Sequence, residues 1–357
     1  MRILVYGAGN MGSLYAALLG RSGQDVTILA RGRRLADIRE HGLRLEPALG
    51  GAPTDVVVDV VARLGGDDAY DLVLVALPRD EVTNVLGILG ASRRTPSVMF
   101  FGNNAAGPAA MVEALGRDRV LLGFPGAAAV RHEGRLGYLI TSAREQPTTI
   151  GELDGSTSPR IRALAQAVEA AGFPTAICAD MDAWLKTHVA EISPTACALY
   201  AAGTDSARLA RTRDAQVMML RAIREGYRAL AALGVPVTPG SHRIVTWIPE
   251  PVLLALIRRR LVSREARFMA GHAADARAEM KVLAEDFHAL VASSDVSTPA
   301  LDRLVTHLDP SADGLPDGSA RLALRWGGVW GLGAGLMAAV SLTLRVIRTR
   351  TRPGDGE

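Results

Sequence analysis

The sequence predicts an α/β domain built on a parallel sheet, followed by an all-α domain. Three observations carry this. Short apolar runs alternate with helical patterns through the first half of the chain, as parallel strands joined by crossover helices do. A glycine-rich turn separates the first apolar run from the first helix. From Asp180 onward only helical periodicity remains. At 357 residues the chain can bury more than one core. The expected organisation is residues 1–175, residues 176–310 and a terminal stretch, 311–357.

Ile3 to Tyr6 is a short apolar run of the kind a buried parallel strand needs. Gly7, Ala8, Gly9, Asn10, Met11 and Gly12 follow and spell G-x-G-x-x-G; Leu14, Ala17 and Leu18 then open an apolar helical face. The first glycine permits the tight turn, the second lets backbone N–H groups approach a pyrophosphate, and the third lets helix and strand pack closely. The anion would rest on the helix N-terminus, where unpaired N–H groups and the helix dipole favour negative charge. This is a Rossmann-type dinucleotide site. The next strand, Asp25–Leu29, runs into Ala30-Arg31-Gly32-Arg33-Arg34. An NAD-specific site carries a carboxylate there for the ribose 2′-hydroxyl. No carboxylate is present, and Arg31 can fork onto a 2′-phosphate, so the expected cofactor is NADP(H).

Val56–Val61, Tyr70–Ala76, Ser97–Phe101, Val120–Gly123, Leu136–Thr141 and Thr148–Gly151 read as further strands, with helices at Asp80–Leu89 and Pro159–Ala171. The loop Gly102–Gly107 leaves the carboxyl end of its strand, so it shares a rim with Gly7–Gly12, where open α/β sheets bind ligands. The second domain reads as helices over Trp184–Leu199, Thr212–Leu233, Pro251–Arg260, Ser263–Ser293 and Pro299–Leu308.

Two cysteines, Cys178 and Cys197, form no disulfide framework and lack zinc spacing; they read as buried apolar residues, and no metal site is expected. Met1 leads straight into the first strand, so no signal peptide is read and a reduced cytoplasmic setting is expected. The net charge is +3, aromatics are 4% and the basic residues are dispersed, which argues against nucleic-acid binding. Of the 40 basic residues other than histidine, Lys186 and Lys281 are the only lysines. An arginine stays protonated, whereas a lysine amine can titrate when its surroundings shift it. Proton transfer by an amine therefore has two candidates.

Asp180-Met-Asp-Ala-Trp-Leu-Lys186 opens a helix, with Asp180 or Asp182 as its N-cap. If that helix borders the interdomain cleft, Lys186 can face a substrate beside a nicotinamide. Hydride delivery to a ketone leaves negative charge on oxygen, which an ammonium stabilises and protonates. Such a lysine needs an orienting carboxylate, and Glu279 is the candidate; Glu279, Lys281 and Glu285 also read as one solvated helix face.

These residues resemble those of the ketopantoate reductases (2-dehydropantoate 2-reductases) over about residues 1–310. The anchors are Gly7–Gly12, Ala30-Arg31, Asn103, Trp184-Leu-Lys186, Ser193-Pro194 and Glu279. The resemblance implies NADPH-dependent chemistry of pantothenate biosynthesis and a helical domain like the C-terminal domain of 6-phosphogluconate dehydrogenases. It implies that Arg31 meets the 2′-phosphate and that Asn103 lies near nicotinamide and substrate. Lys186 would be the general acid, and Glu279 would orient it or contact the substrate hydroxyl. The chain departs from the family at Pro78, where a lysine is usual, at Asn104 after Asn103, where glycine is usual, and at Ala190, where an asparagine is usual. Ser193-Pro194 replaces an Asn-Pro, and Arg267 replaces a carboxylate-binding serine. Ser193 and Arg267 are the substitute substrate contacts.

After a Pro/Gly/Asp/Ser stretch, Asp309–Ser319, Trp326–Leu344 runs 19 residues without a charge, with Arg345, Arg348, Arg350 and Arg352 beyond it. This length just spans a bilayer, with the basic flank in the cytoplasm. Gly327, Gly331 and Gly335 also suit close helix packing. Membrane attachment, burial on the body and a homodimer contact all stay open. The expected activity is NADPH-dependent reduction of a small 2-oxo acid. The alternative is a catalytically idle NADP(H)-binding sensor or partner-binding protein, attached to a membrane by its tail.

Overall fold

A computed structural model describes residues 1–326. The uncharged run expected to attach to a membrane lies, apart from Trp326, outside the described residues. In chain order the first part contains β1 (Arg2–Tyr6), α1 (Asn10–Arg21), β2 (Asp25–Leu29), α2 (Gly32–His41), β3 (Leu43–Pro47), β4 (Thr54–Val56), β5 (Asp59–Val61), β6 (Leu72–Val75), α3 (Arg79–Ala91), β7 (Val98–Phe101), α4 (Ala109–Leu115), β8 (Val120–Phe124), β9 (Ala127–His132), β10 (Arg135–Ile140), β11 (Thr148–Glu152), α5 (Pro159–Ala170) and β12 (Thr175–Ile177). The large sheet has the order β12-β11-β8-β7-β6-β1-β2-β5. Its pairings are parallel except β11 against β8.

The central strands carry near-continuous apolar runs because both faces are covered: Ile3, Leu4, Val5, Val73 and Ile28 are fully buried. The run Val56–Val61 is not one strand. Its two ends enter different sheets, β5 beside β2 and β4 in a second sheet of order β4-β3-β10-β9. That second sheet was mostly unread in the sequence, since β3 and β9 are short and only half apolar on their outer faces. It packs on α1 through Leu43, Leu45, Ala129 and Leu136.

The remaining chain is helical: α6 (Met181–Ala201), α7 (Ser206–Arg211), α8 (Arg213–Ala232), α9 (Glu250–Leu261), α10 (Arg264–Asp275), α11 (Arg277–Ala292) and α12 (Pro299–Val305). The stretch expected to be one helix from Ser263 breaks at Ala276, which caps α10 and opens α11. Val189, Ala190, Cys197, Leu230, Leu283 and Phe287 form a separate core for these helices. Cys197 is buried as expected, whereas Cys178 is only half-buried.

The expected linker, Asp309–Ser319, lies along this helical body. Leu315 N–H donates to the Ala201 carbonyl at 2.8 Å, and Arg211 pairs with Asp317 at 2.7 Å. Among the described residues no helix is long and apolar enough to cross a membrane.

Candidate active site

The strand order puts β1 and β6 side by side at the centre of the large sheet, with successive crossovers leading away to either side. Ligands of open α/β sheets sit outside the strand carboxyl ends at such a switch point. Gly7 turns the chain there with φ +118°, and a Cβ on it would stand 2.5 Å from the Ala76 carbonyl oxygen. A Cβ on Gly12 would stand 1.9 Å from the Gly7 carbonyl oxygen, so strand and helix touch backbone to backbone. Gly9 differs: nothing lies within 4 Å of where its Cβ would be. It caps α1 without a side chain, and the first turn of α1 carries no acidic residue. An open approach to free helix N–H groups is what a dinucleotide pyrophosphate requires, so these residues fit that group.

Arg31 is exposed and caps α2 directly after β2. Burial raises the Tyr6 phenol, and the Arg31 charge partly opposes that rise, so the guanidinium stands near the end of β1. Arg33 is exposed as well. Arg34 turns back toward the body instead, pairing with Asp37 and donating to Ser13 Oγ at 3.1 Å.

Asn103 follows β7 on the same rim. Its Nδ2 donates to Glu279 Oε1 at 2.9 Å, joining the loop to α11 across the domains. Its Oδ1 is buried without a partner. Asn104 braces the loop by donating from Nδ2 to the Gly107 carbonyl at 3.0 Å. The Glu279 carboxyl is pushed above the usual carboxylate range by burial, against the opposing effects of the Asn103 hydrogen bond and the His272 charge.

Lys186 does not pair with Glu279. Its ammonium meets Asp182 Oδ2 at 2.5 Å, one helical turn earlier. Asp180 takes the N-cap, accepting from Ala183 N–H at 2.9 Å, which frees Asp182 for the lysine. The i,i+4 spacing was the signal for this pair. The lysine lies against the Asn103 loop: a Cβ on Gly107 would stand 3.8 Å from Lys186 Nζ and 3.3 Å from Asp182 Oδ1. Asn103, Glu279, Lys186 and Asp182 thus border one loop.

Ser193 and Arg267 do not join this group by any contact. Ser193 is sealed inside α6 and Arg267 is exposed on α10. Ala190 is fully buried, and a Cβ on Gly226 of α8 would stand 3.1 Å from its methyl group. A small residue there lets α6 and α8 approach closely. Beyond Pro78, Arg79 pairs with Asp286 of α11 at 3.2 Å, a second tie between the sheet domain and that helix. Sequence reading offered no signal for this long-range pair.

Residues 3–155 match the family model described as Ketopantoate reductase PanE/ApbA. The sheet-domain portion of the chain is thus similar to the ketopantoate reductases. It is 26% identical over 317 residues to the 2-dehydropantoate 2-reductase of Halobacterium salinarum, covering 85% of this chain and 96% of that one. Among solved structures, 2-dehydropantoate 2-reductase from Geobacter metallireducens superposes with a TM-score of 0.70 at 19% identity, over 87% of this chain and 100% of that one. A D-mandelate dehydrogenase bound to NADH and anilino(oxo)acetate superposes with a TM-score of 0.68 at 16% identity, over 86% and 97%. These structural likenesses extend the family's fold over the helical half of the chain.

Proposed function

We propose that this ketopantoate-reductase-like protein is an NADPH-dependent reductase of a small 2-oxo acid, with 2-dehydropantoate as the first substrate to test. The observation that carries the reading is the Asn103–Glu279 hydrogen bond, with Lys186 of α6 lying against the same loop. Gly7–Gly12 would take the pyrophosphate and Arg31 the 2′-phosphate. The bound dinucleotide would supply hydride to the carbonyl carbon. Lys186, the group we assign as general acid, would stabilise the developing alkoxide and protonate it. Asp182 would hold the amine in place through their ion pair; Glu279 and Asn103 would anchor a substrate hydroxyl. Arg267 is the candidate for the substrate carboxylate, whereas the burial of Ser193 speaks against direct contact.

The test is NADPH oxidation with ketopantoate and a panel of 2-oxo acids. Lys186→Ala should lower turnover about 10²- to 10⁴-fold, the range for losing a general acid. Equal turnover by wild type and variant would remove Lys186 from the mechanism. Failure to reduce any oxo acid would remove the substrate class. Tight NADPH binding without turnover would favour the idle binding protein, the reading that the loss of a polar group at Ala190 supports.

A further inference from the structure

A cavity of about 360 Å³ opens in the helical body. Tyr200, Thr204, Arg208, Arg277, His307 and Asp309 line it. Tyr200 stands fourteen positions past Lys186 on α6, about 21 Å farther along the helix axis.

The wall is cationic by construction. Arg277 lies over the Tyr200 ring with its guanidinium carbon 4.1 Å from the centroid, an arrangement that leaves the guanidinium edge free to donate. The Arg208 guanidinium sits between two glycines: a Cβ on Gly203 would stand 3.0 Å from Nη1, and one on Gly314 would stand 3.7 Å from Nη2. Gly203 also needs its positive φ of +70°. Nη2 donates to the Leu315 carbonyl at 2.8 Å, so the side chain is held in place by the returning chain. Arg211, one turn away, is neutralised by Asp317. Arg208 has no such carboxylate among the described residues. Asp309, the carboxylate in the wall, has its Oδ1 occupied by the Ser311 N–H and hydroxyl, each at 2.8 Å. Burial lowers the His307 pKa, and a backbone hydrogen bond at Asp313 opposes that fall.

We propose that this cavity is a second ligand site, built for a small dianion such as a phosphate monoester or a short dicarboxylate. Two guanidiniums supply forked donors that match planar carboxylate or phosphate oxygens. The Thr204 hydroxyl adds a neutral donor, the Tyr200 hydroxyl being spent on the Ala273 carbonyl at 2.8 Å, and the volume is that of a small-molecule pocket. None of its wall residues has a role in the hydride chemistry proposed above.

Calorimetric titration of the full chain with inorganic phosphate, and separately with malonate, tests this. Wild type should give a saturable isotherm with at least one anion. Arg277→Gln and Arg208→Gln should each weaken it about tenfold or more, as expected for a lost charge-assisted hydrogen bond. Arg93→Gln, exposed on the sheet domain, should leave it unchanged. If Arg208→Gln fails to fold, Arg277→Gln decides. Three results overturn the proposal: no saturable binding by wild type, binding by the Arg277 and Arg208 variants equal to wild type, or loss of binding in Arg93→Gln.

Discussion

Asn103 and Glu279 stand 176 positions apart in the chain and share a 2.9 Å hydrogen bond. The donor comes from a loop of the sheet domain and the acceptor from the first turn of α11. Burial raises the Glu279 pKa, and the Asn103 donation opposes that rise by stabilising the anion. Asn103→Ala should therefore raise the Glu279 pKa further. The acid limb of the kcat/KM profile for an oxo acid should move to higher pH in this variant, and Glu279→Gln should abolish that limb. An unmoved limb in Asn103→Ala would separate Glu279 from the titration.

Arg31 stands exposed at the end of β2 with no carboxylate beside it on the turn. Arg31→Ala should weaken NADPH binding about tenfold to a hundredfold, as loss of a forked phosphate contact does, and leave NADH nearly unaffected. Fluorescence titrations with both nucleotides measure the ratio. Equal losses for the two would place the 2′-phosphate elsewhere.

Ala190 is tightly enclosed by Gly226 and the Phe287 neighbourhood. Ala190→Asn, which installs the residue usual in the family, should destabilise the protein by about 1–3 kcal/mol through overpacking. Chemical denaturation reads this directly. A neutral result would mean that α6 and α8 can separate to admit the amide.

His242 Nδ1 lies 2.6 Å from Glu191 Oε1, which also accepts from the Tyr227 hydroxyl. This contact raises the His242 pKa. A raised histidine contributes stability that is fully present below its unfolded pKa of about 6.5 and lost as pH rises through the folded value. Tm should fall across that interval in wild type, and His242→Gln should flatten the fall. A wild-type Tm that stays level there would show that the pair adds nothing measurable.

The buried strands were legible because parallel sheets covered on both faces need unbroken apolar runs, as in Leu72–Val75 and Val98–Phe101. The second sheet was not, since half of β9 is alanine and β3 alternates over only five residues. The helix break at Ala276 has neither glycine nor proline to announce it. Of the candidate site, the glycine turn and Asn103 were readable from their positions after strands. The Lys186 partner was misassigned because a carboxylate four residues away competed with a distant one, and short-range geometry won. Arg79–Asp286 depends on how the two domains meet, and no local pattern encodes that.

The stretch after α12 is stapled at several points. Asp214 accepts from the Arg321 and Leu322 N–H groups, Arg221 donates to the Ala323 carbonyl, and fully buried Glu250 accepts from Arg325 N–H at 2.8 Å. Residue 326 is therefore a fixed exit point on the helical body. A tether of loose glycine and proline would let the body tumble relative to the chain beyond its end. This bracket instead passes orientation and load from that end straight into α8 and α9.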